Sequence, residues 1–224
     1  MNTFSFTIGK TTLCALPSGG LWWAEERVLC VSDLHLGKSD RIARREGRML
    51  PPYETRATLE KLQTDIDQTD PRHVICLGDS FDDLAVLDAL TEDDKLTILR
   101  LQAGRRWTWI EGNHDAGPVD LGGEHLEELR VGGLLFRHIA QPAFDLPEDL
   151  IEVSGHYHPK FGVATGPMRP AFIYGGRRVI LPAYGAYTGG LRADSPVLAS
   201  LFSGQRVAVL TGRRCLAVPL GDRF

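Results

Sequence analysis

The sequence predicts an α/β fold in which two packed β-sheets are flanked by helices. In the first half, short apolar runs alternate with amphipathic segments, as in β/α units. After residue 125 the pattern changes to a succession of short strands. A β/α half followed by a strand-rich half is typical of two sheets that pack together and leave the helices outside. At 224 residues the chain fits one domain, spanning 1–224.

Strands are expected where short apolar or alternating runs are bounded by turn residues. The first two runs should form a hairpin that turns at Gly9 and Lys10. The runs at 27–32 and 73–77 are nearly continuous, as in strands buried on both faces. The predicted strands are 3–8, 11–16, 21–23, 27–32, 73–77, 107–110, 126–131, 134–138, 150–154, 161–165, 171–174, 178–181, 197–202, 206–210 and 214–218.

Three helices are expected in the first half, between the predicted strands. The first covers 53–68, where apolar residues recur on one face. The second runs over 82–90. The third opens with a capping box of Thr91 and Asp94 and ends near Gly104.

Composition indicates the setting in which the protein works. The formal net charge is −4, so nucleic-acid binding would need a local basic patch or bound cations. The four cysteines form no CxxC pair, which indicates reduced thiols in a cytoplasmic protein. The N-terminus lacks the pattern of a signal peptide, and no run approaches about 20 apolar residues, so no membrane association is expected.

Polar clusters rich in histidine follow five of the predicted strands. They contain five of the seven histidines, beside Asp and Asn residues. Carboxylate, amide and imidazole groups together form a mixed oxygen and nitrogen ligand set for metal ions. The clusters are Asp33-x-His35, Gly78-Asp79-x-x-Asp82, Gly112-Asn113-His114-Asp115, His138 and Gly155-His156-Tyr157-His158.

Each cluster taken alone also has a purely structural interpretation. Asp33-x-His35 and the 113–115 segment could be capped or Asx-type loops. The second cluster could be a turn before a helix whose N-cap is Asp82, and His138 could be an ordinary strand histidine. The pair His156-x-His158 indicates metal binding more directly, because alternate residues of a strand face the same way. All five clusters in this order favour a metal site.

The motifs resemble the calcineurin-like metallophosphoesterase superfamily, whose pattern is D-x-H, G-D-x-x-D, G-N-H-[DE], a lone H and G-H-x-H. Over most of residues 29–191 they resemble one branch more closely, the bacterial ligase-associated DNA damage response endonucleases (PdeM type). The resemblance implies a four-layer α/β/β/α sandwich of two mixed sheets flanked by helices. It also implies a metal-dependent phosphoesterase that cuts DNA during repair, in functional association with DNA ligase and helicase repair proteins. The strings that carry the branch resemblance are 32–38, 50–56, 78–83, 155–160 and 182–191.

The resemblance also implies roles for individual residues. His114 would be the catalytic histidine and Asp115 the group that orients it. Two positions depart from the family's pattern: Ile139 follows the lone histidine where glycine is frequent, and Tyr157 stands where threonine is frequent. The implied ligands of the first metal are Asp33, His35, Asp79 and His158. The implied ligands of the second metal are Asp79, Asn113, His138 and His156, with Asp79 bridging the two ions.

Elementary chemistry agrees with a binuclear hydrolase. Two divalent ions about 3.5–4 Å apart can hold a hydroxide between them and clamp a phosphoryl group for in-line attack. Two carboxylates against two dications leave the site locally positive. His114, placed near the leaving oxygen, could protonate it or stabilise charge in the transition state. A ligand set without thiolate suits Mn²⁺ best and also accommodates Fe²⁺ or Zn²⁺.

Two segments are candidates for binding DNA. The basic segment 38–48 could bind phosphates that flank the scissile one, or it could be a solvated helix face. Tyrosines of the glycine-rich loop 182–190 could stack on bases or could simply pack the loop. No helical motif that reads a duplex groove is recognisable, which favours single-stranded or unpaired DNA. The candidate substrate-binding residues are Lys38, Arg41, Arg44, Arg45, Arg48, Tyr157, Tyr184 and Tyr187.

Three interpretations of function stay open at this point. The first is a DNA endonuclease that hydrolyses phosphodiester bonds. The second is a phosphatase or phosphodiesterase of small nucleotides, which a compact pocket closed to polymers would support. The third is a metallophosphoesterase fold kept as a protein-interaction scaffold. Scaffold versions would be expected to lose metal ligands, whereas every implied ligand is present here.

Overall fold

The chain forms two mixed β-sheets in this computed structural model. The described residues are 2–47, 51, 53–82, 90–142, 146–164 and 166–221, with the main chain alone at 45 and 46. Nearly all of the predicted helix 82–90 lies outside these residues. Within them, the strands form a seven-stranded sheet and an eight-stranded sheet.

The first sheet contains its strands in the order of the sequence. The first four are antiparallel neighbours, beginning with the hairpin predicted at Gly9, and the last four are parallel. The carboxyl ends of the parallel strands therefore lie along one edge of the sheet. The strands are β1 (Phe4–Ile8), β2 (Thr11–Ala15), β3 (Leu21–Trp23), β4 (Val28–Val31), β5 (His73–Leu77), β6 (Arg106–Ile110) and β7 (Glu124–Leu126).

The second sheet is antiparallel except at its middle. Its strands are β8 (Glu128–Val131), β9 (Leu134–Arg137), β10 (Ile151–Ser154), β11 (Lys160–Phe161), β12 (Arg169–Gly175), β13 (Arg178–Ile180), β14 (Arg206–Leu210) and β15 (Leu216–Leu220). They are arranged in the order β15-β14-β12-β13-β10-β9-β8, with β11 paired to β12. The strand β10 runs parallel to both β9 and β13, so the second sheet also contains three adjacent parallel strands.

Four helices lie in the described part of the chain, and none of them is long and apolar enough to cross a membrane. The capping box predicted from Thr91 and Asp94 is present at the third helix. The first helix begins against the second, because Oε1 of Glu54 accepts hydrogen bonds from the main-chain N–H and the hydroxyl of Ser39. The helices are α1 (Lys38–Glu46), α2 (Glu54–Thr69), α3 (Glu92–Gln102) and α4 (Pro196–Ala199).

Alternate residues of β4 bind the layers together. Val28 and Cys30 face the apolar core between the two sheets, whereas Leu29 and Val31 lie in the core beneath α2 and α3. A third core covers the outer face of the second sheet and includes Leu198 of α4. Two packed mixed sheets with helices on their outer faces confirm the predicted fold class.

Three strand predictions differ from the structure. The predicted strand 126–131 is divided at Glu127, where the chain leaves the first sheet and enters the second. The predicted strand 161–165 is shorter, since β11 ends at Phe161. The predicted strand 197–202 is wrong: Ser195 caps the N-terminus of α4 and Pro196 stands in its first turn, and both favour a helix start.

Candidate metal centre

The predicted site residues meet where strands of both sheets end. Asp33 and His35 follow β4, Asp79 follows β5, and His138 follows β9. The segments after β4 and β5 continue side by side, because the main-chain N–H of His35 donates to the carbonyl oxygen of Asp79 at 2.9 Å. The main-chain N–H of Gly155 donates to the carbonyl oxygen of His138 at 2.9 Å and joins the β10 end to the β9 end.

A first cluster consists of Asp33, His35 and His158. Oδ1 of Asp33 lies 3.0 Å from Nε2 of His158, and Nε2 of His35 lies 3.4 Å from the same nitrogen. The three potential ligand atoms all lie within 4.8 Å of one another. Asp33 and His35 are buried and His158 is partly exposed, so the cluster has a buried floor and an accessible upper side.

A second cluster surrounds Nε2 of His138. Oδ1 of Asn113 lies 3.1 Å from this nitrogen, Nδ1 of His156 lies 3.3 Å away and Oδ2 of Asp79 lies 3.4 Å away. Nδ1 of His138 lies 4.0 Å from Oδ1 of Asp33, so the two clusters adjoin. Together they contain all seven residues predicted as ligands.

The donor atoms of both clusters fit bound cations. Oδ1 of Asp33 is buried without a hydrogen-bond donor, and its short contact with His158 lacks hydrogen-bond geometry. Nδ1–H of His138 donates to the carbonyl oxygen of Leu77 at 2.9 Å, which directs the Nε2 lone pair of the neutral ring toward the other ligand atoms. Converging lone pairs of this kind repel one another unless a proton or a metal ion lies between them.

Charge at the site supports the same conclusion. Burial lowers the pKa of His138, but the carboxylates of Asp79 and Asp33 outweigh it and raise the pKa to about 9. Burial raises the pKa of Asp79, but its contacts with His138 and His114 outweigh this and hold the pKa well below its usual range. The buried carboxylates therefore stay ionised and attract positive charge, and a divalent ion can take the place of the proton on His138.

A family model described as calcineurin-like phosphoesterase matches residues 26–185. The chain belongs to the calcineurin-like phosphoesterase family. As a member of that family it is a metal-dependent hydrolase, and the resemblance predicted from the sequence is confirmed.

A solved structure is similar to this phosphoesterase over nearly its whole length. The crystal structure of Pseudomonas putida nuclease MPE is similar, with a TM-score of 0.76 and 25% sequence identity. The similarity covers 98% of this chain and 100% of that one. The comparison with curated proteins gives no significant match.

Asp82 orients two histidines of the phosphoesterase site. Its Oδ1 lies 2.7 Å from Nδ1 of His35, which leaves Nε2 of that ring for the first cluster. Its main-chain carbonyl oxygen lies 3.0 Å from Nδ1 of His114. Arg41 and Lys38 of α1 balance the charge of the same carboxylate. Asp82 stands within the Gly78-Asp79-x-x-Asp82 motif of the sequence but was not among the predicted site residues.

The contacts of Asp115 correct the role predicted for it. Among the described residues, the hydrogen bond of the His114 ring goes to Asp82, and Asp115 holds the main chain instead. Its buried carboxylate accepts N–H bonds from Gly112, Asp79 and the two residues after Asp79, at 2.8 to 3.1 Å. Asp115 therefore fixes the turn that carries Asp79.

Left-handed backbone conformations concentrate at the two clusters. Nine described residues other than glycine have a positive φ, and five of these are predicted ligands. Such conformations are unfavourable for most residues and persist where the surroundings enforce them. The five are Asp33 (φ 54°), His35 (φ 46°), Asp79 (φ 46°), His156 (φ 68°) and His158 (φ 46°).

The motif glycines allow these segments to approach one another. A Cβ on Gly112 would lie 2.1 Å from the main-chain nitrogen of Asp79. A Cβ on Gly155 would lie 1.7 Å from Oγ of Ser32. Both distances are far below van der Waals contact, so the strand ends can meet only if these positions lack a side chain.

Only some of the basic residues predicted to bind substrate lie near the site. Lys38 and Arg41 lie near the site because both form ion pairs with the carboxylate of Asp82. Arg44 instead pairs with Asp40 on the exposed side of α1. The side chain of residue 45 and the whole of residue 48, which were also predicted to bind substrate, lie outside the described residues.

The three tyrosines predicted to bind substrate occupy different positions. Tyr187 is 48% exposed, and the ring of Tyr157 lies edge-on to His156 with centroids 5.1 Å apart. Tyr184 is fully buried and donates its hydroxyl to Oδ2 of Asp65 at 2.8 Å. The prediction that Tyr184 stacks on a base is therefore wrong.

Proposed function

We propose that this phosphoesterase is an endonuclease that hydrolyses phosphodiester bonds of single-stranded or unpaired DNA. The observation that carries the proposal is the pair of adjoining ligand clusters, which meet between His138 and Asp33. Two divalent ions bound there would supply the Lewis acidity and the ionised water that hydrolysis at neutral pH requires. Oxygen and imidazole ligands without thiolate suit Mn²⁺, and also Fe²⁺ or Zn²⁺.

The clusters suggest how the chain divides the ligands. Asp33, His35 and His158 would hold one ion, and Asn113, His138 and His156 would hold the other. Asp79 belongs to the second cluster and would bridge both ions. The seven ligands combine carboxylate, amide and imidazole groups, so two dications exceed the ligand charge and leave the site attractive to a phosphodiester.

His114 would donate a proton to the leaving oxygen. Its Nδ1–H points at the main-chain carbonyl oxygen of Asp82, which fixes the orientation of the ring. The other ring nitrogen, Nε2, then stays available for the leaving group. Asp115 would act indirectly, by holding the turn that positions Asp79.

Three observations support a DNA substrate. Asn113 is exposed and three of the site's histidines are partly exposed, so one side of the site is open, as a polymer needs. Lys38 and Arg41 stand beside Asp82, where they could contact flanking phosphates. The similar protein from Pseudomonas putida is a nuclease. We also propose a repair role together with DNA ligase and helicase proteins, from the family branch that the motifs resemble. A cytoplasmic location is proposed from the four cysteines, which form no CxxC pair.

The test is nicking of a closed circular single-stranded DNA with Mn²⁺. A circle has no ends, so linear products require an endonuclease. We expect linear products with the wild type and with His125→Ala, a histidine outside both clusters, and a loss of at least about a hundredfold with His114→Ala. If the circle stays intact while a small aryl phosphodiester is hydrolysed, the substrate is a small nucleotide instead.

A further inference from the structure

A pocket of about 410 Å³ opens beside the second ligand cluster. Asn113 and His138 form the wall that it shares with the metal centre. Its volume lies within the range of small-molecule sites, about 300–1,000 Å³. The other lining residues are Glu111, Gly112, Glu127, Glu128, Arg137, Ile139 and Gln141.

Two lining residues of the pocket stand at positions where the chain differs from the family pattern or from the predicted strands. Ile139, which replaces the frequent glycine of the family pattern, lines it with a side chain that is 43% exposed. Glu127 lines it from the point where the chain passes from the first sheet to the second. The pocket therefore combines an apolar surface with polar groups at the edge of the metal centre.

Three polar side chains of the pocket are free to bind a ligand. Within the described part of the chain, those of Glu111, Glu127 and Gln141 have no hydrogen-bond or ion-pair partner. Arg137, in contrast, donates to Glu128 at 2.5 Å and lies 3.7 Å from Glu152. The positive charge in the wall is thus already balanced, and two carboxylates remain unbalanced.

This charge pattern selects against phosphate and in favour of hydrogen-bond donors. Unbalanced carboxylates repel a neighbouring phosphate, whereas they accept hydrogen bonds from amino groups such as N4 of cytosine. An exposed aliphatic side chain offers an apolar surface to the face of a base. The donor edge of a base is free only when the base is unpaired.

We propose that this pocket binds an unpaired nucleobase next to the scissile phosphodiester. Ile139 lies against the face of the base, and Glu111 and Glu127 accept hydrogen bonds from its amino group. The pocket favours a base with an exocyclic amino group over thymine. This inference rests on the proposed function and specifies the substrate that the same site selects.

The test is an internal competition within one labelled strand. An oligothymidylate that carries a single dC is digested with Mn²⁺, and cutting at the bonds beside dC is compared with cutting at the thymidine bonds. The two bases are pyrimidines of similar size that differ in the amino group. The ratio is measured within one strand, so it does not depend on the overall activity of a variant.

We expect about tenfold more cutting beside dC with the wild type. The same ratio is expected with Glu148→Gln, a matched change at an exposed residue outside the pocket. Glu127→Gln and Ile139→Ser should each reduce the ratio severalfold. Uniform cutting by the wild type, or a ratio unchanged in both variants, would overturn the inference. A strand that the wild type leaves uncut would overturn the proposed function, and the inference with it.

Discussion

Nδ1 of His35 lies 2.7 Å from Oδ1 of Asp82, and both groups are buried. This contact fixes the ring so that Nε2 faces the first ligand cluster. Carboxylates that orient a ligand histidine typically change metal affinity by about 10–100-fold when they are removed. We therefore expect Asp82→Ala to weaken Mn²⁺ binding by a factor of that order, measured by calorimetry on metal-free protein.

Asp120→Ala is the matched control, because Asp120 is exposed and belongs to neither ligand cluster. It should bind Mn²⁺ like the wild type. If Asp82→Ala also binds Mn²⁺ with wild-type affinity, the orientation of His35 by Asp82 has no role in metal binding.

Gly112 determines how closely two strand ends approach. A Cβ there would lie 2.1 Å from the main-chain nitrogen of Asp79 and 2.3 Å from its Oδ1. Relief of this overlap must move a predicted metal ligand, and overpacking costs about 1–3 kcal/mol. Gly112→Ala should therefore lower the free energy of unfolding by about that amount and weaken Mn²⁺ binding. Gly221→Ala, with open space around its Cβ, should change neither quantity.

Local patterns were sufficient to predict the sheet edge that carries the site. Continuous apolar runs marked β4 and β5 as buried, and polar motifs after each strand located the ligands. Parallel strands end at one edge, so the motifs had to meet once the strands were paired. The motif glycines could be identified in the sequence. That they allow the strand ends to approach closely follows only from the distances across that edge.

Other features depend on contacts that are distant in sequence. The composition of the glycine-rich loop could not reveal that Tyr184 is buried, because its partner Asp65 lies 119 residues away. The apolar pattern of 126–131 continues across the change of sheet at Glu127, so it predicted one strand instead of two. The position of Asp115 next to His114 suggested that Asp115 contacts the His114 ring. In the structure, its carboxylate accepts a hydrogen bond from the main-chain N–H of Asp79 instead.

Tyr184 anchors the glycine-rich loop within the core. Its hydroxyl donates to Asp65, and Nζ of Lys61 lies 3.8 Å from the centre of its ring. Tyr184→Phe removes one buried hydrogen bond and should lower the free energy of unfolding by about 1 kcal/mol, measured by urea denaturation. Tyr187→Phe, at an exposed position of the same loop, should leave it unchanged. Equal stability of the two variants would contradict the anchoring role.

His73 makes stability depend on pH at a place remote from the metal centre. It is 7% exposed, and its Nε2–H donates to the hydroxyl of Thr108 at 2.8 Å. Burial, followed by the charge of Arg106, lowers the pKa of His73 to about 4, although Glu124 acts in the opposite direction. The folded protein therefore keeps this ring neutral down to about pH 4, whereas the unfolded chain protonates it near its ordinary pKa of about 6.5.

Between these two pKa values the unfolded state binds more protons, so the stability that neutral His73 contributes is present above pH 6.5 and is lost as the pH falls toward 4. Between pH 7 and pH 5 the loss from this residue should be about 2 kcal/mol. His73→Gln cannot titrate and should lose correspondingly less stability than the wild type over that interval. Urea denaturation of both proteins in a chelator measures the difference, because every other histidine titrates alike in the two chains. Identical losses in the two proteins would show that His73 is not held neutral in the folded state.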